Sequence, residues 1–119
     1  MRATLTYIGG PTAVIELAGI RLITDPTFDP AGTEYPTARY TLRKTIAPAV
    51  AAEAIGRIDA VLLSHDHHAD NLDHRGRAML DDAPIVLTTR EGAARLGGNA
   101  IGLSAGETHT VDTPDGRSL

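Results

Sequence analysis

"IDAVLLSHDHHADNLD", residues 58–73, sets a nearly continuous apolar run against a loop crowded with ionisable groups. "IDAVLLS" (58–64) has the length and apolar density of a buried strand. The ten residues from Ser64 to Asp73 then hold three histidines and three aspartates. In open α/β sheets the carboxyl end of a strand is where loops project side chains into a common crevice. A hydrolytic zinc site needs neutral imidazoles and carboxylates around the ion, with one position left open for water. His65, Asp66, His67, His68 and Asp70 supply both kinds of group. The plainer reading is a solvated loop, with Asp70 or Asn71 serving only to cap the helix that begins near Leu72.

Upstream, "ATLTYI" (3–8), "AVIEL" (13–17) and "IRLIT" (20–24) are strand-like and joined by turn residues, which predicts a three-stranded meander. From Asp25 to Pro48 four prolines break any period. A loop of that length in a compact domain is usually functional, a lid, or a wrap around the sheet. "AVAAEAIG" (49–56) reads as a short helix stopped by Gly56. Downstream, "LDHRGRAMLDD" (72–82) and "REGAARLGG" (90–98) read as helices. "PIVLTT" (84–89), "AIGLS" (100–104) and "ETHTVDT" (107–113) read as strands, and "PDGR" (114–117) as a turn. A meander followed by strand–helix units predicts an α/β (α+β) fold, a mixed β-sheet with helices on one face.

The bulk properties fit one domain spanning 1–119. Hydrophobic content of 42% and charged content of 22% are ordinary for a folded chain. A net charge of −4 gives no electrostatic reason to expect nucleic acid or an anionic membrane as partner. There are no cysteines, so any metal must sit on His, Asp or Glu. No run approaches membrane-spanning length, and the start "MRATLTYIGG" lacks a signal-like apolar stretch; the expectation is a cytoplasmic protein. His74 in a helix, His109 in an alternating segment, and Arg39, Arg43 and Lys44 of "ARYTLRK" are expected to be solvated surface groups.

"YIGGPTAVIELAGIRLITDPTFDP" followed by "IDAVLLSHDHHADNLD" resembles the first half of a metallo-β-lactamase-fold hydrolase. The branch it looks most like contains ascorbate-6-phosphate lactonase-like and phosphodiesterase-like proteins. Thr24, Asp25 and Pro26 match the family's Thr-Asp-Pro, and the His-rich loop matches its His-x-His-x-Asp-His. The resemblance implies an αββα sandwich of two similar halves with metal between them. It also implies hydrolysis of an ester, lactone or phosphodiester of small-molecule size, by a water that the metal activates. The loop fits in two registers. Read from the strand, His65 and His67 fill the histidine slots. Read back from the helix, Asp70 fills the aspartate slot, His68 and Asp66 precede it, and Asn71 replaces the last histidine. A one-residue bulge reconciles them, with His65, His68 and Asp70 as ligands, Asp66 and His67 as alternatives, and Asp25 and Asn71 beside the ligands.

In this alignment Asp70 also orients the attacking water. The implied cofactor is zinc, with manganese or iron(II) as alternatives, as one or two ions. The family's remaining ligands lie in its second half, and "TPDGRSL" stops with a hairpin strand barely begun. The expectation is a truncated N-terminal half whose missing C-terminal half, or a second copy in a homodimer, completes the site. The alternative is a non-catalytic half-domain that self-associates and binds metal weakly or not at all.

Overall fold

A computed structural model describes residues 2–119. Strands β1 (Ala3–Gly9), β2 (Thr12–Leu17) and β3 (Ile20–Thr24) form the antiparallel meander, with a bulge between Tyr7 and Gly9. The β2–β3 turn is Ala18–Gly19, both at positive φ, which matches the right-handed twist of the flanking strands. The segment that follows carries a small hairpin, β4 (Glu34–Pro36) with β5 (Thr41–Arg43), paired only to itself. Then come α1 (Ala52–Ile55), β6 (Ala60–Leu62), α2 (His74–Leu80), β7 (Ile85–Thr89), α3 (Arg90–Leu96) and β8 (Ala100–Leu103). The main sheet runs β1-β2-β3-β6-β7-β8, and β3, β6, β7 and β8 are parallel to one another. The carboxyl ends of β1, β3, β6, β7 and β8 therefore share one edge, where Asp25 and the His-rich loop emerge.

Side-chain alternation divides the sheet into two unlike faces. Val14, Ile23, Val61 and Val86 lie in register on one face and are buried with Ile55 of α1 and Leu80 of α2. Met79 and Leu96 pack against the same cluster. Burying each large side chain of this kind contributes about 1.5–3 kcal/mol. The opposite face carries Ile15, Leu22, Leu62, Leu87 and Ile101, all only half-buried, and Leu5 at 65% exposure. The helices thus cover one face of a mixed sheet, as the strand pattern predicts, and leave an apolar face largely open.

Four local expectations are corrected. The helix expected over 49–56 is a single turn, because Ala49 N–H donates to Ile8 O (2.9 Å) and the Ala51 N-cap offers no side-chain acceptor. The helix expected from Leu72 starts after Asp73, whose carboxylate accepts from Gly76 N–H; neither Asp70 nor Asn71 caps it. The strand expected over 107–113 is absent. Glu107 instead accepts from Ser104 N–H (2.8 Å) and Arg90 (2.8 Å), which turns the chain after β8. Only Asp112 and Ser118 bridge, beside Val111–Leu119 hydrogen bonds that close a hairpin over the Pro114–Arg117 turn. Lys44, expected in solvent, is largely buried against Asp73 (3.1 Å). Arg39 and Arg43 are exposed, as expected, and so are His74 and His109.

Asp73 is the knot that ties the 25–48 segment to α2. One oxygen accepts from Gly76 N–H (2.8 Å), the other from Asp29 N–H (2.7 Å) and the Lys44 ammonium. Asp29 reciprocates, accepting from Arg75 N–H (2.9 Å), His74 N–H (3.2 Å) and the Tyr35 hydroxyl (2.7 Å). Burial alone would push the Asp29 carboxyl up; these donors outweigh it and hold the group below the ordinary carboxylate range. Gly76 lets α2 approach closely, since a Cβ there would sit 1.8 Å from the Pro26 carbonyl oxygen. Among the described residues no helix is long and apolar enough to cross a membrane. Replacing Asp73 with Ala removes the cap and strands a buried ammonium, so we expect a loss of about 2–4 kcal/mol in urea unfolding. A loss under about 1 kcal/mol would contradict this account of the knot.

Candidate metal centre

The site is assembled from Asp25 outward. Asp25 ends β3 in a left-handed conformation (φ 28°), an unusual state that Asp tolerates better than most residues. It is buried, and its N–H continues the parallel ladder to Leu62 O (3.0 Å). Its carboxylate accepts from Ser64 N–H (2.7 Å), the Ser64 hydroxyl (2.8 Å) and Asn71 Nδ2 (3.1 Å). Ser64 and Asn71 are the two ends of the His-rich loop, so one carboxylate fixes where the loop leaves and where it returns. Asn71 N–H and Leu72 N–H both donate to His68 O (3.0 Å each), closing the loop tightly behind that residue.

The three imidazoles gather within this loop. His65 Nε2 and His68 Nδ1 lie 3.1 Å apart, and the His67 ring centroid is 4.4 Å from that of His68 and 5.5 Å from that of His65. Ser64 Oγ is 3.0 Å from His65 Nδ1. The Ser64 proton is committed to the Asp25 carboxylate, which can only accept, so Ser64 Oγ meets His65 as an acceptor. His65 Nδ1 therefore carries the ring proton, and Nε2 accepts a hydrogen bond from His68 Nδ1–H (3.1 Å). Setting the tautomer of a metal-binding histidine through the ring's other nitrogen is a general device of such sites.

Two nitrogens held about 2.0–2.1 Å from one zinc at a tetrahedral angle stand roughly 3.3 Å apart. The His65–His68 spacing fits that demand. The rest of a ligand shell is not gathered: among the described residues no cluster of three or more His, Cys, Asp or Glu side chains could hold a metal ion. Asp70 is exposed, and with Ala69 it lines the end of a cleft.

Asp66 is 4% exposed, and its carboxylate is gripped by Arg95 of α3 through contacts of 2.6–3.2 Å. Its backbone carbonyl accepts from Arg77 of α2 (2.9 Å). The Arg95 guanidinium holds the Asp66 carboxyl down at about 2, against the opposing push of burial. Asp66 thus moors the loop to two helices. Ser64 and Arg95 escaped the sequence reading. A serine opening a metal-type loop was the available signal for the first; nothing local marks Arg95, which lies 29 residues from its partner.

These features define an α/β half-sandwich with an imidazole loop at the carboxyl edge of its sheet. The chain belongs to the beta-lactamase superfamily, whose domain model matches residues 4–116. Two mycobacterial relatives, the uncharacterized proteins Rv0906 of Mycobacterium tuberculosis and Mb0930 of Mycobacterium bovis, are each 33% identical over 72 residues. That match spans 60% of this chain and 18% of theirs. Among solved structures, an isothiocyanate hydrolase from Delia radicum gut bacteria superposes with a TM-score of 0.69 at 25% identity, covering 98% of this chain and 46% of that one. A possible metal-dependent hydrolase from Veillonella parvula gives 0.66 at 16% identity, over 92% and 44% of the two chains. The metallo hydrolase Igni18 from Ignicoccus hospitalis gives 0.60 at 19% identity, over 96% and 44%. The chain therefore corresponds to under half the length of these structures and carries half of a metallo-β-lactamase fold.

The mooring of Asp66 makes a pH-dependent prediction. A carboxyl held near 2 when folded and near 3.8 when unfolded adds stability that is complete above pH 4 and lost as pH falls towards 2. Arg95→Gln should therefore destabilise the protein at pH 7, with the gap from the parent protein closing between pH 4 and 2. Denaturant unfolding at both ends of that range measures it. A gap that does not vary with pH would contradict the ion pair's assigned role.

Proposed function

We propose that this chain forms the metal-binding half of a hydrolase acting on an ester, lactone or phosphodiester. The observation that carries the reading is the pair of imidazole nitrogens, His65 Nε2 and His68 Nδ1, held 3.1 Å apart by a hydrogen bond whose proton a bound metal would replace. Those two atoms would hold zinc, or manganese or iron(II) in its place. When bound, the ion supplies a hydroxide near neutral pH by lowering the pKa of its water. Among the described residues, Asp70 is the one aspartate of the loop that makes no side-chain hydrogen bond or ion pair. With a metal bound, Asp70 would be the loop carboxylate left to orient its water and take the proton. His67, beside both rings, is the alternative donor; Asp66 could join only by giving up Arg95. The Veillonella protein is described as a possible metal-dependent hydrolase and the Ignicoccus protein as a metallo hydrolase, which supports the reading at the level of the fold.

Two donors do not complete a zinc shell. We place the missing ligands on whatever covers the open sheet face: the part of the relatives that this chain does not span, or a second copy of it. An uncovered apolar face of several strands favours association in either case. One observation favours a second reading, a non-catalytic half-domain that self-associates: no third ligand is gathered among the described residues.

Calorimetric zinc titration separates the two, with sedimentation equilibrium in the same buffer. On the hydrolase reading zinc binds, His65→Ala and His68→Ala each weaken it at least about tenfold, His74→Ala leaves it unchanged, and the chain sediments as a dimer at micromolar concentration. Zinc binding that is absent, or equally sensitive to His74→Ala, would overturn the site; a monomer at all concentrations would overturn the second-copy arrangement.

A further inference from the structure

A cleft of about 630 Å³ opens at the same edge of the sheet, between the β1–β2 turn and the segment that runs from β5 to Ala49. Its walls include Tyr7, Leu42, Arg43 and Ile46, together with Ala69 and Asp70 of the His-rich loop. The volume falls in the range of small-molecule sites. Its polar side chains are mostly turned to other work. The Tyr7 hydroxyl donates to Gly10 O (3.0 Å), the Tyr35 hydroxyl to Asp29 and the Lys44 ammonium to Asp73; Thr27 Oγ1 is paired with Thr12 Oγ1 (2.7 Å). What remains for an occupant is a largely apolar surface. Two of the largest exposed hydrophobic side chains in the protein, Tyr7 at 63% and Ile46 at 77%, stand on it. Solvating them is unfavourable, and an apolar occupant would relieve it.

We infer that this cleft binds the apolar, uncharged body of the substrate, with the bond to be cleaved lying at its Asp70 end. The inference rests on the proposed hydrolase site and narrows its substrates to esters or lactones bearing an alkyl or aryl group. Arg43 and Thr45 could pair with a few polar groups, but a highly hydrated diester would leave most of its own unpaired against these largely apolar walls. Recognition here is by buried area, so affinity rises with chain length until the cleft is filled. Full burial of each added CH₂ is worth about fourfold in affinity.

The test is a titration of the protein with methyl butyrate, methyl hexanoate and methyl octanoate, followed by two-dimensional NMR in the presence of EDTA. Chelation makes the result independent of zinc, so failure of the cleft and failure of the metal site are read separately. The expected result is shift changes at residues 42–49 and 69–70, with affinity rising about two- to fourfold per methylene. Ile46→Asp, at an exposed rim position that the fold does not need, should weaken methyl octanoate at least fivefold. Leu5→Asp, at an equally exposed apolar residue outside the cleft, should leave binding unchanged. Affinity that does not depend on chain length, or equal losses in the two variants, would overturn the assignment and leave the cleft to a polypeptide segment.

Discussion

One buried carboxylate organises this molecule's chemistry. Asp25 stands where β3 ends, and its two oxygens take three hydrogen bonds from the two ends of the His-rich loop. Hydrogen bonds to a charged acceptor are worth about 1.5–3 kcal/mol each, enough to hold a residue at an uncommon positive φ. The consequence runs through bonds rather than through space. Asp25 takes the Ser64 proton, Ser64 then accepts from His65 Nδ1, and His65 is left with a lone pair aimed at its neighbour. The sheet contributes the geometry that makes this possible, because parallel pairing of β3 and β6 brings Asp25 and Ser64 to the same edge.

The aspartates around the loop differ in role because they differ in burial and partner. A buried carboxylate survives only with donors to satisfy it. Asp25, Asp66 and Asp73 are buried, and each is spent on structure: the loop ends, the mooring to α3, and the knot to Lys44 and α2. Among the described residues, Asp70 alone of the loop's aspartates is exposed and makes no side-chain hydrogen bond or ion pair. The division separates the frame from the exposed side chain, and Asp70 also lines the apolar cleft.

Much of this was legible in the sequence, for physical reasons. The strands 13–17, 20–24 and 84–89 read correctly because burial on both faces, or regular alternation, leaves a direct mark on residue type. The His-rich loop and Asp25 were legible because such residue types have few other uses at strand ends. What escaped was decided by distant partners. Nothing near Lys44 announces Asp73, and nothing near Asp66 announces Arg95. The β4–β5 hairpin hides among prolines, since a two-stranded element off the main sheet needs little periodicity. "ETHTVDT" has the alternation of a strand, but only its residues 111–113 find a partner, in the short terminal hairpin, and Glu107 finds a better arrangement in a turn. The pairing of His65 with His68 came from reconciling two registers of the loop, and the fold brings their nitrogens within 3.1 Å of each other.

The claim at the centre of this account is that Asp25, acting through Ser64, fixes the tautomer of His65 before any metal arrives. Long-range ¹H–¹⁵N correlation NMR of the metal-free protein at about pH 8, where an ordinary imidazole is neutral, reads that tautomer directly. The account predicts a proton on Nδ1 and a bare Nε2 in His65, and a mixture of both forms in Asp25→Asn. A proton on Nε2 in the parent protein, or the same tautomer in both proteins, would contradict it.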